Sequence, residues 1–274
     1  MKSDKPSMTA LGAASHRYYH QLFDGLPKIL DDTVTAKLLD SGIVEYFKKN
    51  RSDWESPYSN GLRSHILLRS RYSEDCLKES GIHQIVILGA GFDTFAYRQP
   101  SATTSARIFE VDHPSTQKMK LERLRNGGVE IPENLTIVPI DFENQQLLNV
   151  LVDKGFDTTL PAFFSWLGVT MYLTEDAIDA VLQLIGKFAK GTQLVLTYSE
   201  PAGNTSRNTL LESVKKQGEP LVSFFTPEEM ERKLRISGFS DVNVPSPEYL
   251  ASIYEERSDG LAVPRRTGIM RATV

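Results

Sequence analysis

Five short apolar runs, separated by turns and helix-like stretches, govern what this 274-residue chain can fold into. They are Ile85–Leu88, Ala106–Val111, Leu135–Ile140, Ala162–Leu167 and Gln193–Tyr198. Runs of that length, rich in β-branched and aromatic residues, suit strands covered on both faces. Helical spacing returns between them, over Ser115–Arg125 and again over Glu175–Lys190. Strands that alternate with helices join through right-handed crossovers and build a parallel sheet.

The flanks differ from this centre. In TVTAKLLDSGIVEYFKK, residues Leu38, Leu39, Ile43, Val44 and Phe47 sit at helical spacing, and SHILLRSRYSEDCLKESGI reads as a helix that Gly81 stops. At the other end, TPEEMERKLRISGF carries Thr226 as a cap, Pro227 in the first turn, Glu229 to complete a capping box and Gly238 as the stop. Asp241–Val244 and Gly268–Thr273 follow as two strands joined by a Pro-rich loop, expected to pair antiparallel at one sheet edge. Residues 199–225 are too long for a simple connection and are expected to form a lid or substrate element. One domain is expected: a helical cap over 1–80, a ligand-binding core over 81–198, the lid over 199–225, and a helix with a hairpin over 226–274.

Composition removes several classes of function. With 40% hydrophobic and 24% charged residues, the chain can bury a sizeable core. A net charge of −4, spread without blocks, leaves no electrostatic footprint for nucleic acid. No apolar run is long enough for a bilayer, and the first residues lack the apolar centre of a secretory signal. Cys76 is the sole cysteine, which excludes an internal disulfide framework and fits a reducing compartment. A cytoplasmic location is therefore expected. Histidine and cysteine do not cluster at ligand spacing, so no metal is expected.

Ligands of open α/β sheets sit at the carboxyl ends of the strands, near the point where strand order reverses. The segment QIVILGAGFDTFAYR places Gly89-Ala90-Gly91 there. Glycines let a ligand approach bare backbone, although a lone GxG is also an ordinary tight turn. Asp112, at the end of the second run, can accept from both hydroxyls of a ribose or simply be solvated. A dinucleotide site usually adds a third glycine. Here Thr94 stands at that position, and Asp93 would repel a pyrophosphate. These residues favour a nucleoside without phosphate over NAD. Asp141 can then take the amino hydrogens of an adenine, with Phe142 on the ring; the alternative for Asp141 is a helix cap.

VILGAGFDTFAYR, FEVDHPSTQKMK, PIDF and SWLGVTMYLTEDAIDAVL occur in this order. Together they resemble the leucine carboxyl methyltransferase family, and within it the bacterial O-methyltransferases that include polyketide-modifying enzymes. The resemblance spans roughly residue 8 to the end, and GAGxDTxAYR with EVDxP is far more specific than the glycines or the aspartate alone. It implies a class I methyltransferase fold, which is a Rossmann-like α/β sheet of seven strands, the last antiparallel, with helices on both faces. It implies S-adenosyl-L-methionine as cofactor. Gly89, Ala90, Gly91, Leu167 and Gly168 would line its methionine part, Asp112 its ribose, and Asp141 with Phe142 its adenine. Arg69 or Arg71 would pair with the cofactor carboxylate, and the choice is a question of helix face. Arg98 is expected to brace the glycine turn by pairing with Asp93. One position departs from the family. An acidic residue usually precedes the glycine of the strand-four motif, as in EGLxxYL, whereas this chain has Leu167-Gly168. The backbone carbonyl of Leu167 is expected to stand in.

The implied reaction is methyl transfer to an oxygen of a small-molecule acceptor. A carboxylate acceptor is already ionised and needs proximity and orientation; a hydroxyl needs a base. Tyr172 is the polar residue best placed to orient an acceptor, with packing under the following helix as its alternative. Trp166 and Met171 read as core. His16, His20 and His113 are base candidates, none preferred. Two other readings compete. A nicotinamide-dependent oxidoreductase is opposed by Asp93 and Thr94, and a non-catalytic S-adenosylmethionine-binding protein is kept open by Leu167. The eukaryotic family members methylate a C-terminal leucine on a phosphatase; nothing in this chain points to a protein target, and nothing sets an oligomeric state.

Overall fold

The computed structural model describes residues 6–98, 106–140, 146–201, 221–265 and 268–274. The five runs become the parallel strands β1 (Gln84–Leu88), β2 (Arg107–Asp112), β3 (Leu135–Pro139), β4 (Phe163–Trp166) and β5 (Gln193–Thr197). With β6 (Asp241–Asn243) and β7 (Ile269–Thr273) they form a seven-stranded sheet of order β3-β2-β1-β4-β5-β7-β6. β7 runs antiparallel to both of its neighbours. The order reverses between β1 and β4, so the crevice for a ligand opens at their carboxyl ends.

Every residue of β1 is buried, as a central strand covered on both faces requires. Its side chains alternate between two cores. Val86 and Leu88 join Phe109, Phe164, Ile178 and Leu234 on one face of the sheet. Ile85 and Ile87 join Ala14, Leu38, Ile108 and Leu124 on the other.

Four helices precede β1: α1 (Met8–Phe23), α2 (Ile43–Lys49), α3 (Arg51–Trp54) and α4 (Pro57–Ser80). The apolar stretch around Leu38–Phe47 is not one helix. It divides into a 3₁₀ turn over Val34–Leu38 and α2, because the chain turns at Asp40, where Ile43 N–H bonds the Asp40 carbonyl at 3.0 Å. α4 starts earlier than its apolar spacing indicates, at Pro57, with Ser56 accepting Ser59 N–H at 3.2 Å. Its end at Gly81 is as expected, in the left-handed conformation that glycine tolerates. Helix α5 (Phe95–Arg98) follows β1, and α6 (Pro114–Asn126), α7 (Leu147–Asp153) and α8 (Glu175–Ile185) follow β2, β3 and β4. The capping box forms at α9 (Pro227–Ile236): Thr226 Oγ1 accepts Glu229 N–H, and Glu229 accepts Thr226 N–H.

The C-terminal strands pair antiparallel as expected, but the connection between them is not a plain loop. It contains α10 (Pro247–Tyr254), capped by Ser246. Its proline occupies a first helical turn, where proline is favoured. Two tyrosines anchor it to α4: Tyr249 donates to Asp75 at 2.8 Å and Tyr254 to the Ser64 carbonyl at 2.9 Å. Among the described residues, no helix is long and apolar enough to cross a membrane.

Candidate functional site

The chain turns sharply after β1. Ala90 N–H donates to the Val111 carbonyl at 3.0 Å, and Asp93 N–H to the Ala90 carbonyl at 2.7 Å. Gly89 takes φ +66°, a region costly for any residue with a Cβ. A Cβ on Gly89 would lie 2.3 Å from Val169 Cγ2, and one on Gly91 2.9 Å from the Ala10 side chain. The turn thus lies between the loop after β4 and helix α1.

Asp112 reaches across from β2. Its Oδ2 accepts Gly91 N–H at 2.5 Å and its Oδ1 accepts His113 N–H at 2.6 Å. Burial raises its carboxyl above the ordinary range, against the pull of these two donors. Each oxygen retains a lone pair, so two further hydroxyls can be accepted.

The loop after β4 is fastened to β5. Gly168 N–H donates to Thr197 Oγ1 at 2.7 Å, and Thr170 Oγ1 donates to the Thr197 carbonyl at 2.7 Å. A Cβ on Gly168 would lie 2.6–2.8 Å from the guanidinium atoms of Arg69. Arg69 therefore reaches the crevice from α4. Arg71, two residues on, is exposed and pairs with Asp75 at 2.7 Å. Among the described residues, Arg69 makes neither a hydrogen bond nor an ion pair. Burial lowers its pKa to about 10, and the charges of Tyr172 and Asp93 oppose that fall. A guanidinium held without a partner in partly buried surroundings is a ready anion site.

The structure brings together Gly89, Ala90, Gly91, Asp112, Leu167, Gly168, Arg69 and Tyr172, and turns Arg71 away. Asp141 and Phe142 lie outside the described residues, as does 202–220 within the 199–225 insertion. The returning end of that insertion meets the loop after β4. Val222 N–H donates to the Met171 carbonyl at 2.8 Å, and Ser223 Oγ to the Leu173 carbonyl at 2.5 Å.

Arg98 does not pair with Asp93. It pairs with Glu74, lies 3.6 Å from Asp32 and donates to Thr94 Oγ1 at 2.9 Å. Asp93 instead caps α5, accepting Phe95 N–H on Oδ1 at 2.8 Å. Sequence reasoning missed the rest of this network. Arg17 on α1 donates to Asp32 at 2.8 Å and to the Phe92 carbonyl at 2.6 Å. Burial works against ionising Asp32, yet Arg17 and Arg98 pull its carboxyl below the ordinary range. No local signal marks Asp32, because Arg98 is far away in the chain.

Two of the three histidines weighed as bases are committed to structural hydrogen bonds, and the third is buried. His20 Nε2 accepts Ile29 N–H at 3.0 Å, so Nδ1–H faces Asp24 at 2.8 Å. His113 caps α6 and lies 2.8 Å from Ser115 Oγ. His16 packs on Trp54 with ring centroids 4.8 Å apart, and burial lowers its pKa to about 3. Among the described residues, no group of three or more His, Cys, Asp or Glu could hold a metal ion.

Beneath the glycine turn, between α4 and strands β1 and β4, lies a small cleft. Its polar lining is Ser70, Ser73, Glu74, Asp93 and Ser165, and Leu167 closes one side.

Comparison with known proteins gives the family and the fold. Residues 10–186 match the leucine carboxyl methyltransferase family. The chain is similar to a Bacillus subtilis protein named "Putative S-adenosyl-L-methionine-dependent methyltransferase YktD", with 30% identity over 96% of each chain. Among crystal structures, it shares its fold with a DUF574 family protein from Streptomyces avermitilis at a TM-score of 0.57, with 14% identity and 95% of each chain covered. It also shares it with "a putative methyltransferase" from Thermobifida fusca, again at a TM-score of 0.57, with 20% identity over 99% of this chain and 95% of that one. The strand order and the antiparallel β7 are those of the class I methyltransferase fold.

Proposed function

The chain belongs to the leucine carboxyl methyltransferase family and is an S-adenosyl-L-methionine-dependent methyltransferase, and on that premise we propose that it methylates an oxygen of a small-molecule acceptor. The observation that carries the cofactor assignments is the unpartnered guanidinium of Arg69 against Gly168, across the crevice from the glycine turn and Asp112. The residues fit the group. Arg69 offers two parallel donors to a carboxylate, the glycines leave backbone open where a Cβ would collide, and Asp112 keeps lone pairs for two ribose hydroxyls. Asp141 and Phe142 are proposed for the adenine.

S-adenosylmethionine supplies a methyl group that its sulfonium makes electrophilic. What the chain must add is position and dryness. Helix α1 stands over the turn through Ala10, and Ser7 N–H ties the start of that helix to Thr116 Oγ1 at 3.2 Å. The chain at Val222 and Ser223 returns onto Met171 and Leu173 from the other side. A crevice bordered by α1 and by the chain at Val222 and Ser223 suits a small acceptor better than a folded protein. With His20 and His113 committed to other hydrogen bonds and His16, its pKa lowered to about 3 by burial, too weak a base near neutral pH, we favour an acceptor that arrives ionised, a carboxylate, with Tyr172 orienting it.

Isothermal titration with S-adenosylmethionine, S-adenosylhomocysteine and NAD tests the site. Micromolar binding of the first two and none of NAD is expected. Asp112→Ala is expected to weaken both by at least about 30-fold, the loss of two charge-assisted hydrogen bonds, in a protein that still unfolds cooperatively. Unchanged affinity would overturn the ribose assignment. For the acceptor, radiolabelled methyl transfer to a panel of carboxylic acids and phenols should give a base-labile ester. A product that is wholly base-stable would overturn the carboxylate.

A further inference from the structure

The amino-acid end of the cofactor carries an ammonium as well as a carboxylate. A desolvated ammonium without an anionic partner is costly. Leu167, next to Gly168 at the end of β4, offers the dipole of its carbonyl but no charge. The cleft that Leu167 closes holds other candidates. Ser70, Ser73 and Ser165 are neutral, and Ser73 lies 3.1 Å from Ser165 in a mutual hydrogen bond. Glu74 is committed to Arg98. Asp93 accepts one backbone N–H, on Oδ1, and among the described residues it forms no ion pair.

Asp93 and Arg69 also stand in a telling relation. Asp93 lines the cleft that Leu167 closes, and the guanidinium of Arg69 lies against Gly168, the next residue, yet the two charges form no ion pair. Held apart on one crevice, they complement a zwitterion that carries its two charges on a single carbon.

We propose that Asp93, on the turn after β1, receives the ammonium of the cofactor's amino-acid end while Arg69 receives its carboxylate. This rests on the crevice being the S-adenosylmethionine site.

The test uses the full chain and two ligands. S-adenosylhomocysteine carries the zwitterion; 5′-methylthioadenosine keeps the adenosine and the sulfur but has neither charge. Asp93→Asn retains an oxygen for Phe95 N–H, and Asp93→Ser is a second variant able to cap the same turn. In both, S-adenosylhomocysteine affinity should fall by about tenfold or more while 5′-methylthioadenosine stays within about twofold. Adding Leu167→Glu to Asp93→Asn should restore part of the lost affinity. Equal loss of both ligands, or no loss of S-adenosylhomocysteine, would overturn the proposal. Failure of the unaltered protein to bind either ligand would overturn the reading of the crevice itself, and that result is distinct from any effect confined to the variants.

Discussion

Arg69 and Arg71 differ by two positions on one helix, and that rotation separates a guanidinium facing Gly168 from one exposed beside Asp75. Arg69→Gln should weaken S-adenosylhomocysteine binding by about 10- to 100-fold, the worth of a charge-assisted pair, and Arg71→Gln should leave it unchanged. Titration calorimetry reads both, and equal effects would sink the assignment. His16 yields a pH effect of known sign. Its pKa is lowered to about 3 by burial first, with the charge of Arg63 adding to the fall. The unfolded chain therefore binds the proton more readily. The stability that His16 contributes is present above pH 6.5 and is lost as pH falls towards 3. Between pH 7 and pH 5 this amounts to about 2 kcal/mol, and His20, lowered in the same direction, adds to the slope. Denaturant melts at both pH values should show the loss, and His16→Phe should flatten it.

Among the elements, α8 and α9 meet where α8 ends. The apolar spacing runs on to Lys190, but the helix stops at Ile185. At Gly186 the backbone passes so close to α9 that a Cβ would stand 1.8 Å from the Ser237 carbonyl oxygen. Gly186→Ala must push the two helices apart, and overpacking of that kind costs about 2 kcal/mol, or roughly 5 °C in melting temperature. Gly12→Ala is the control. Nothing lies within 4 Å of its Cβ, and in the middle of α1 alanine should stabilise by up to about 1 kcal/mol. Helix ends elsewhere were legible because their signals are local: Gly81 closes α4, and Thr226 with Glu229 opens α9. Helix α10 escaped notice because Ser246-Pro247 serves equally as a loop or as a first helical turn, and what makes it a helix is its docking through Tyr249 and Tyr254 on α4.

Across the whole molecule, the cap is tied to the cofactor crevice through Arg17, Asp32 and Arg98, so ligand binding and global stability should be coupled. S-adenosylhomocysteine at a hundredfold excess over its dissociation constant should add about 2.7 kcal/mol and raise the melting temperature by several degrees, while NAD should shift nothing. A shift with NAD instead would contradict the site. The sequence alone determined the alternation of strands and helices, the antiparallel end, the family, and the glycines and aspartate at the strand ends. All of these rest on periodicity, on turn chemistry or on motifs that occupy one short stretch of chain. Only the tertiary structure decided that Arg69 and not Arg71 enters the crevice, that Arg98 serves Glu74 and Asp32, and that Asp93 stands without an ion pair beside Leu167. Those outcomes depend on how α1 and α4 dock against the sheet. They join charges from parts of the chain tens of residues apart, and no local pattern carries that information.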